Sequence, residues 1–265
     1  MRAGWALLGA LVFAQICYPL THGDTRAALT VLTVLLGYLL SVGHALVTRG
    51  PRTAAGLVAA ATLGGFAVEA VGVATGFPFG AYDYPGRLGP ELLGVPLIIP
   101  LAWTWMAWPA WLAATRPTRR RATRVLLAAA GLAAWDLFLD PQMVAEGYWT
   151  WRHPAPALPG VPGVPVGNYL GWFGFALLLA AVLSALPGHD PVPADAPMLA
   201  LWFWTYASSV LAHAVFLGLP ASAAWGGVIM GLAVVPVAAH LTGGTRLTRL
   251  FRRGPHDRND RAGRR

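Results

Sequence analysis

Residues 122–140 read ATRVLLAAAGLAAWDLFLD, and this stretch decides the class of fold. A helix of about 20 apolar residues crosses a hydrocarbon core of about 30 Å, and this stretch has close to that length. Similar stretches recur on both sides of it. We therefore predict an all-α polytopic membrane protein with about eight transmembrane helices. The predicted spans are residues 3–20, 27–48, 53–75, 92–115, 122–140, 167–186, 197–219 and 221–242.

The overall composition supports a membrane protein. Of the 265 residues, 56% are hydrophobic and only 11% are charged, and the mean hydropathy is +0.56. A soluble domain carries about a quarter of charged residues, so lipid must cover much of this surface. The net charge of +8 does not predict nucleic-acid binding, because the arginines fall in loops and in the tail. The single cysteine, Cys17, excludes a disulfide framework and is expected to be a buried thiol.

The arginines also predict the orientation of the helices. Sixteen fall on one side of the predicted membrane: Arg2, Arg49, Arg52, five from Arg116 to Arg124, and eight from Arg246 to Arg265. The other side holds Arg26, Arg87 and Arg152. The positive-inside rule then predicts a multi-pass protein of the cell membrane with both termini in the cytoplasm. The first span could instead be a signal peptide, although a clear cleavage site is absent. Residues 1–245 form the predicted helical domain, and 246–265 a basic cytoplasmic tail that we expect to be disordered.

An internal repeat pairs two acids within the spans. Glu69 and Asp136 have glycines, an aromatic-x-aromatic pair, a Gly-Val-Pro and a tryptophan at matching offsets, with two extra residues in the second loop. The first unit has Gly64, Gly80, Tyr82, Tyr84, Gly94–Pro96 and Trp103, and the second has Gly131, Gly147, Trp149, Trp151, Gly163–Pro165 and Trp172. The units cover about 60–115 and 127–186, that is, helices 3–4 and 5–6. Both acid-bearing helices run in the same direction, which indicates a parallel repeat about an axis along the membrane normal.

The acids are the first candidates for catalysis. A charged side chain within a span costs about 2.5–3.5 kcal/mol on insertion scales and is functional by default. Glu69 and Asp136 should lie at similar depth and face a shared cavity. Asp140 follows Asp136 by one helical turn, so both can share a face. The alternative for all three is a structural carboxyl group, and Asp140 could also cap the end of its helix.

Aromatic and polar residues cluster toward the same side of the membrane. The loops after the third and fifth spans carry Tyr82, Tyr84, Trp149 and Trp151, and Trp103 and Trp172 follow in the next helices. Part of this enrichment is the interfacial aromatic belt. Twelve tryptophans exceed that need, so we predict an aromatic cavity for a large apolar ligand. Asn168 and His213 lie toward the same side, although a lone intramembrane histidine is more often a packing residue. The spacing of the acids does not predict a metal site.

Four segments resemble the carotenoid-biosynthesis membrane hydratase family, which includes bisanhydrobacterioruberin hydratases and carotenoid 1′,2′-hydratases. They are residues 76–85 (GFPFGAYDYP), 94–103 (GVPLIIPLAW), 135–141 (WDLFLDP) and 167–173 (GNYLGWF), within a resemblance over about 60–175. The resemblance implies that water is added to the terminal C=C of an acyclic carotenoid, giving a tertiary alcohol. The implied substrate is a lycopene-like or C50 polyene, no cofactor is needed, and association with other carotenoid enzymes is expected.

The chemistry implied by the resemblance fits the candidate residues. An isolated alkene must first be protonated, by an acid that keeps its proton near neutral pH. A carboxyl group does so when it is buried in an apolar pocket beside a second carboxylate. Our hypothesis gives this role to Asp136 or Glu69, with the other residue orienting water, and aromatic faces stabilise the cation by about 2 kcal/mol. Two alternatives stay open: an end-group cyclase, and a non-enzymatic membrane protein that binds carotenoid or another lipid.

Overall fold

The computed structural model describes residues 2–188 and 190–252, with side chains up to residue 243. Eight helices follow one another along the chain. They are α1 (Arg2–Cys17), α2 (Gly23–Arg49), α3 (Pro51–Thr75), α4 (Ile98–Ala114), α5 (Arg121–Ala145), α6 (Val166–Leu183), α7 (Pro193–Phe216) and α8 (Pro220–Arg252). Seven of them are long and apolar enough to cross a membrane, α1 together with the 3-10 turn Tyr18–Leu20 that follows it, and α4 has 17 residues. The chain is a polytopic all-α membrane protein, as predicted.

The helix boundaries differ most from the prediction at the fourth, fifth and last helices. The fifth continues past residue 140 to Ala145, with Pro141 inside it, so Asp140 does not cap its end. The fourth helix begins at Ile98 and not at residue 92, because residues 91–96 form a small hairpin of strands β2 (Glu91–Leu92) and β3 (Val95–Pro96). The last helix continues to Arg252 and so includes the start of the predicted tail. From residue 253 onward that tail lies outside the described residues. Cys17 is only half-buried, because it is the last residue of α1.

Helix α4 is the centre of the bundle, since every residue from Trp103 to Ala114 is buried. A helix that is apolar all round belongs in an interior. Glycines on the surrounding helices make room for wide rings. A Cβ atom at Gly37 of α2 would lie 2.6 Å from the Trp105 ring, and one at Gly131 of α5 would lie 2.5 Å from the Trp202 ring. Small residues let membrane helices approach one another closely.

The two ends of the bundle are closed in different ways. At one end, Asp195 is fully buried and accepts hydrogen bonds from Arg49 at 2.9 Å and from Arg116 at 2.7 Å. This cluster joins α2, the end of α4 and the start of α7. The other end, which we call the loop end, carries the two long loops between α3 and α4 and between α5 and α6.

The two long loops pair with each other at the loop end. Strand β1 (Tyr82–Asp83) and strand β4 (Thr150–Trp151) run antiparallel, with Tyr82 opposite Trp151 and Asp83 opposite Thr150. A second hairpin, β5 (Ala157–Leu158) with β6 (Val161–Pro165), closes the later loop. In the predicted repeat, Tyr82 corresponds to Trp149 and Tyr84 to Trp151. Exchanging the two units therefore leaves the strand pairing unchanged, so the paired strands are related by a local two-fold axis through the Asp83 and Thr150 pair.

The ring contacts follow the same symmetry. The Tyr82 and Trp151 ring centroids lie 5.7 Å apart, and so do those of Tyr84 and Trp149, which is the same pair with the units exchanged.

Burial raises the pKa of both tyrosines, and the neighbouring Glu69 raises them further. Both phenols therefore keep their protons and act as hydrogen-bond donors.

Candidate active site

The carboxyl group of the first unit is surrounded by donors. Glu69 lies on α3, about 9 Å from the loop end of that helix, and is buried. Its Oε2 accepts hydrogen bonds from Tyr82 Oη at 2.6 Å and Tyr84 Oη at 3.0 Å, and its Oε1 accepts one from Trp103 Nε1 at 3.0 Å. An ionised carboxyl group acts only as an acceptor, and three donors match that form.

The second unit contains two carboxyl groups and one shared donor. Asp136 and Asp140 lie one turn apart on α5, and both are almost completely buried. Asn168 Nδ2, at the start of α6, donates to Asp136 Oδ2 at 2.8 Å and also to Asp140 Oδ2. Trp149 Nε1 donates to the other oxygen of Asp140 at 3.1 Å. A single amide thus brings the two carboxyl groups together. The Asp136 and Asp140 carboxyl groups are also hydrogen-bonded to each other.

One cavity of about 160 Å³ connects the two units. Glu69, Asp140 and Asn168 line it, whereas Asp136 does not. Seven of the eight residues predicted to bind substrate are on its wall: Tyr82, Tyr84, Trp103, Trp149, Trp151, Asn168 and Trp172. The cavity wall is therefore rich in aromatic side chains and carries carboxyl groups from both units.

Trp103 and Trp172, which occupy equivalent positions in the repeat, meet where the units join. Their ring centroids are 3.8 Å apart and their planes are inclined by 21°, so the two indoles stack. One indole face of each ring is thereby occupied by the other. Offset stacking of this kind adds about 0.5–1.5 kcal/mol beyond the buried area.

His213 is not part of the cavity wall. Its Nδ1 lies 2.9 Å from Ser222 Oγ and its Nε2 lies 3.0 Å from Gln142 Oε1, while Ser222 Oγ donates to the Leu137 carbonyl at 2.6 Å. The histidine thus joins α7, α8 and α5 and holds Gln142, which does line the cavity. The structure supports the packing interpretation of His213 over a role in substrate contact.

Several cavity residues had no signal in the sequence. Thr33, Thr205, Ser208 and Ser209 line the cavity from α2 and α7, and Gln142 lines it from α5. Hydroxyl side chains are common in membrane helices, where they bond to the backbone of their own helix, so composition alone does not single these out. Gln142 is offset by about half a turn from the face shared by Asp136 and Asp140.

Two of the loop-end arginines tie the loops to the helices. Arg26 of α2 is buried and forms an ion pair with Glu146, just after α5. Arg87 Nη1 donates to the Glu146 carbonyl at 2.8 Å, and its guanidinium lies 5.5 Å from the centre of the Tyr148 ring.

Over residues 2–188 and 190–252, no three His, Cys, Asp or Glu side chains converge in a way that could hold a metal ion.

Comparison with known proteins places the chain in a family. The family model described as "Carotenoid biosynthesis protein" matches residues 29–237. A bisanhydrobacterioruberin hydratase of Haloarcula japonica is 37% identical over 126 residues, which cover 46% of this chain and 41% of that protein. No solved structure matches the chain. The family match extends over most of the helical bundle and includes both carboxyl-bearing units, and the chain belongs to the carotenoid biosynthesis protein family.

Proposed function

We propose that this protein adds water to the terminal C=C of an acyclic carotenoid end group and forms a tertiary alcohol. The observation that carries the proposal is the placement of Asp140 and Glu69 on the wall of one aromatic cavity. The Haloarcula japonica relative is a bisanhydrobacterioruberin hydratase, which supports the same chemistry. The carotenoid, lycopene-like or a C50 polyene, would come from the surrounding lipid.

Asp140 is the proposed proton donor. Of the two acids on α5, Asp140 lines the cavity and Asp136 does not, so the donor role moves from Asp136 to Asp140. Two carboxyl groups that share a donor in an apolar site hold one proton between them, because two adjacent charges cannot both be sustained there. Asp136 is then a positioning residue, and its carboxyl group shares this proton with Asp140 through their mutual hydrogen bond.

Glu69 is the proposed carboxylate partner. The proton from Asp140 adds to the less substituted alkene carbon, and the positive charge develops on the tertiary carbon. An ionised Glu69, fixed by three donors, stabilises that charge at no cost of reorganisation. Water then forms the C–O bond and releases a proton to a carboxylate, so the net change is the addition of one water.

The experiment uses a bacterial host that makes lycopene. Expression of the protein should yield a carotenoid heavier than lycopene by one water, detected by mass spectrometry. A new carotenoid of unchanged mass would identify a cyclase, since cyclisation captures the cation with a neighbouring alkene and adds no atoms. Lycopene that binds to the purified protein but is recovered unaltered would identify a carrier. Either of these results would contradict the proposal.

We also propose that the loop end faces away from the cytoplasm. The end opposite the loops carries Arg49 and Arg116 with their partner Asp195, together with most of the other arginines among the described residues. The catalytic cavity would then open toward the outer half of the cell membrane. Association with other carotenoid enzymes stays a prediction from the resemblance.

A further inference from the structure

A second group of polar atoms lines the cavity and has no role in the proton transfer described above. Thr33 of α2, Thr205 of α7 and Trp105 of α4 line the cavity, and their side chains carry two hydroxyls and an indole N–H. All three polar atoms are buried, and within the described part of the chain none has a hydrogen-bond partner. A buried polar group left unmatched costs about 1–3 kcal/mol, so a ligand that bonds to these atoms is favoured.

The two threonines differ from other threonines of the same bundle. Thr30, Thr48 and Thr75 each donate to the carbonyl four residues earlier, at 3.0, 2.7 and 2.7 Å. This is the usual arrangement of a threonine in a helix. Thr33 and Thr205 make no such bond. Their hydroxyls therefore have no bond to the backbone of their own helices.

The two threonines lie on the deep side of the site, and Trp105, about 10 Å from the loop end of α4, lies at a depth between them and the carboxyl groups. Thr33 is about 15 Å and Thr205 about 16 Å from the loop ends of their helices, close to the middle of a core of about 30 Å. Glu69 and Asp140 are nearer the loop end, at about 9 and 8 Å. Polar groups at mid-membrane depth are costly and mark functional sites.

The chemistry of the atoms identifies the ligand class. An indole N–H only donates, so its partner must carry an oxygen or nitrogen lone pair. A hydrocarbon polyene has none. Water has lone pairs for the indole and both donates to and accepts from hydroxyls, and a buried water needs two to four polar partners.

We propose that Thr33, Thr205 and Trp105 bind the water that is added to the carotenoid. This inference rests on the proposed function and locates its second substrate. The water oxygen supplies both electrons of the new C–O bond to the tertiary cation, and the released proton passes to a carboxylate. Neutral hydroxyls hold this water without taking the proton that the alkene needs.

The test separates protonation from water capture. Membranes that contain the Thr33→Val/Thr205→Val variant are supplied with lycopene, once in H₂¹⁸O and once in D₂O. We expect the formation of ¹⁸O-labelled alcohol to fall by about tenfold, which corresponds to a loss of about 1.4 kcal/mol in the transition state. Deuterium should still enter recovered lycopene, because a cation that finds no water returns a proton. Since lycopene contains no oxygen, an effect of the threonines cannot come from an oxygen atom on the substrate.

Two further variants control for folding. Thr48→Val removes a hydroxyl from the same helix that already bonds to the His44 carbonyl and does not line the cavity, and both labels should stay at the wild-type level. Thr33→Ser/Thr205→Ser keeps the hydroxyls and should retain most of the ¹⁸O incorporation.

The outcomes distinguish the two proposals. If wild-type protein forms no labelled alcohol, the proposed function is wrong and this inference falls with it. If wild-type protein hydrates lycopene and the valine variant does so equally fast, only the inference is wrong. A parallel loss of both labels in the valine variant would also overturn it, because the threonines would then act on protonation or folding.

Discussion

The two repeat units place a carboxyl group at the same position and surround it differently. In the first, Glu69 accepts from three donors and has no acidic neighbour on its helix. In the second, Asp136 shares the Asn168 amide with Asp140. The repeat aligns Val73 with Asp140 and Ile99 with Asn168, so the first unit lacks the residues that make the pair. The common scaffold builds the cavity, and the difference between the units separates a fixed carboxylate from a paired acid.

The largest effect is expected from removing the carboxyl group of Asp140, which has no counterpart in the first unit. Asp140→Asn leaves the cavity shape unchanged but offers no acidic proton, and general acid catalysis is worth about 10²–10⁴-fold. We therefore expect product formation from lycopene to fall by about a thousandfold, measured as alcohol per amount of protein in the membrane. Asp136→Asn should reduce it less, because Asp136 acts through Asp140. Equal activity of Asp140→Asn and wild type would remove Asp140 from the mechanism.

A smaller effect is expected from neutralising the fixed carboxylate. Glu69→Gln keeps the size of the side chain but loses the negative charge, and its amide N–H₂ must face donors in the same pocket. Loss of one preorganised electrostatic group costs about 10²–10³-fold, so we expect about a hundredfold fall in alcohol formation. Deuterium uptake into recovered lycopene should fall with it, since the cation itself is less stable. A variant that still exchanges deuterium at the full rate would show that Glu69 acts only after the cation forms.

The smallest effect is expected at the symmetry axis between the units. Asp83 pairs with Arg152 at 2.7 Å on the surface, and this guanidinium lowers the pKa of the Asp83 carboxyl group. Exposed ion pairs contribute little to stability. Asp83→Asn should therefore leave the thermal midpoint and the alcohol yield unchanged, as determined by thermal unfolding in detergent and by product analysis. A clear loss of either would mean that the strand pairing depends on this charge.

Hydropathy was sufficient to predict the eight helices, because lipid requires long apolar segments whatever their packing. The acids were also predictable, since a charge such as Glu69 within a span is rare. The sequence could not predict which acid lines the cavity. Asp136 and Asp140 are one helical turn apart, and only tertiary packing decides that Asp140 reaches the cavity wall. Thr33 could not be distinguished from Thr30 for a similar reason. The two share a helix and a residue type, and differ only in whether the hydroxyl bonds to the backbone.

The strand pair between the long loops has a consequence for the history of the chain. The pairing is two-fold symmetric about Asp83 and Thr150. Each strand therefore pairs with the equivalent strand of the other repeat unit. A single unit on its own would expose the hydrogen-bonding edge of this strand. A second copy of the same unit could pair with that edge, and such pairing is the geometry of an isologous dimer interface. The present chain carries both halves of such an interface. Gene duplication and fusion of a dimeric ancestor would produce this arrangement, and the fused copies could then acquire different carboxyl groups.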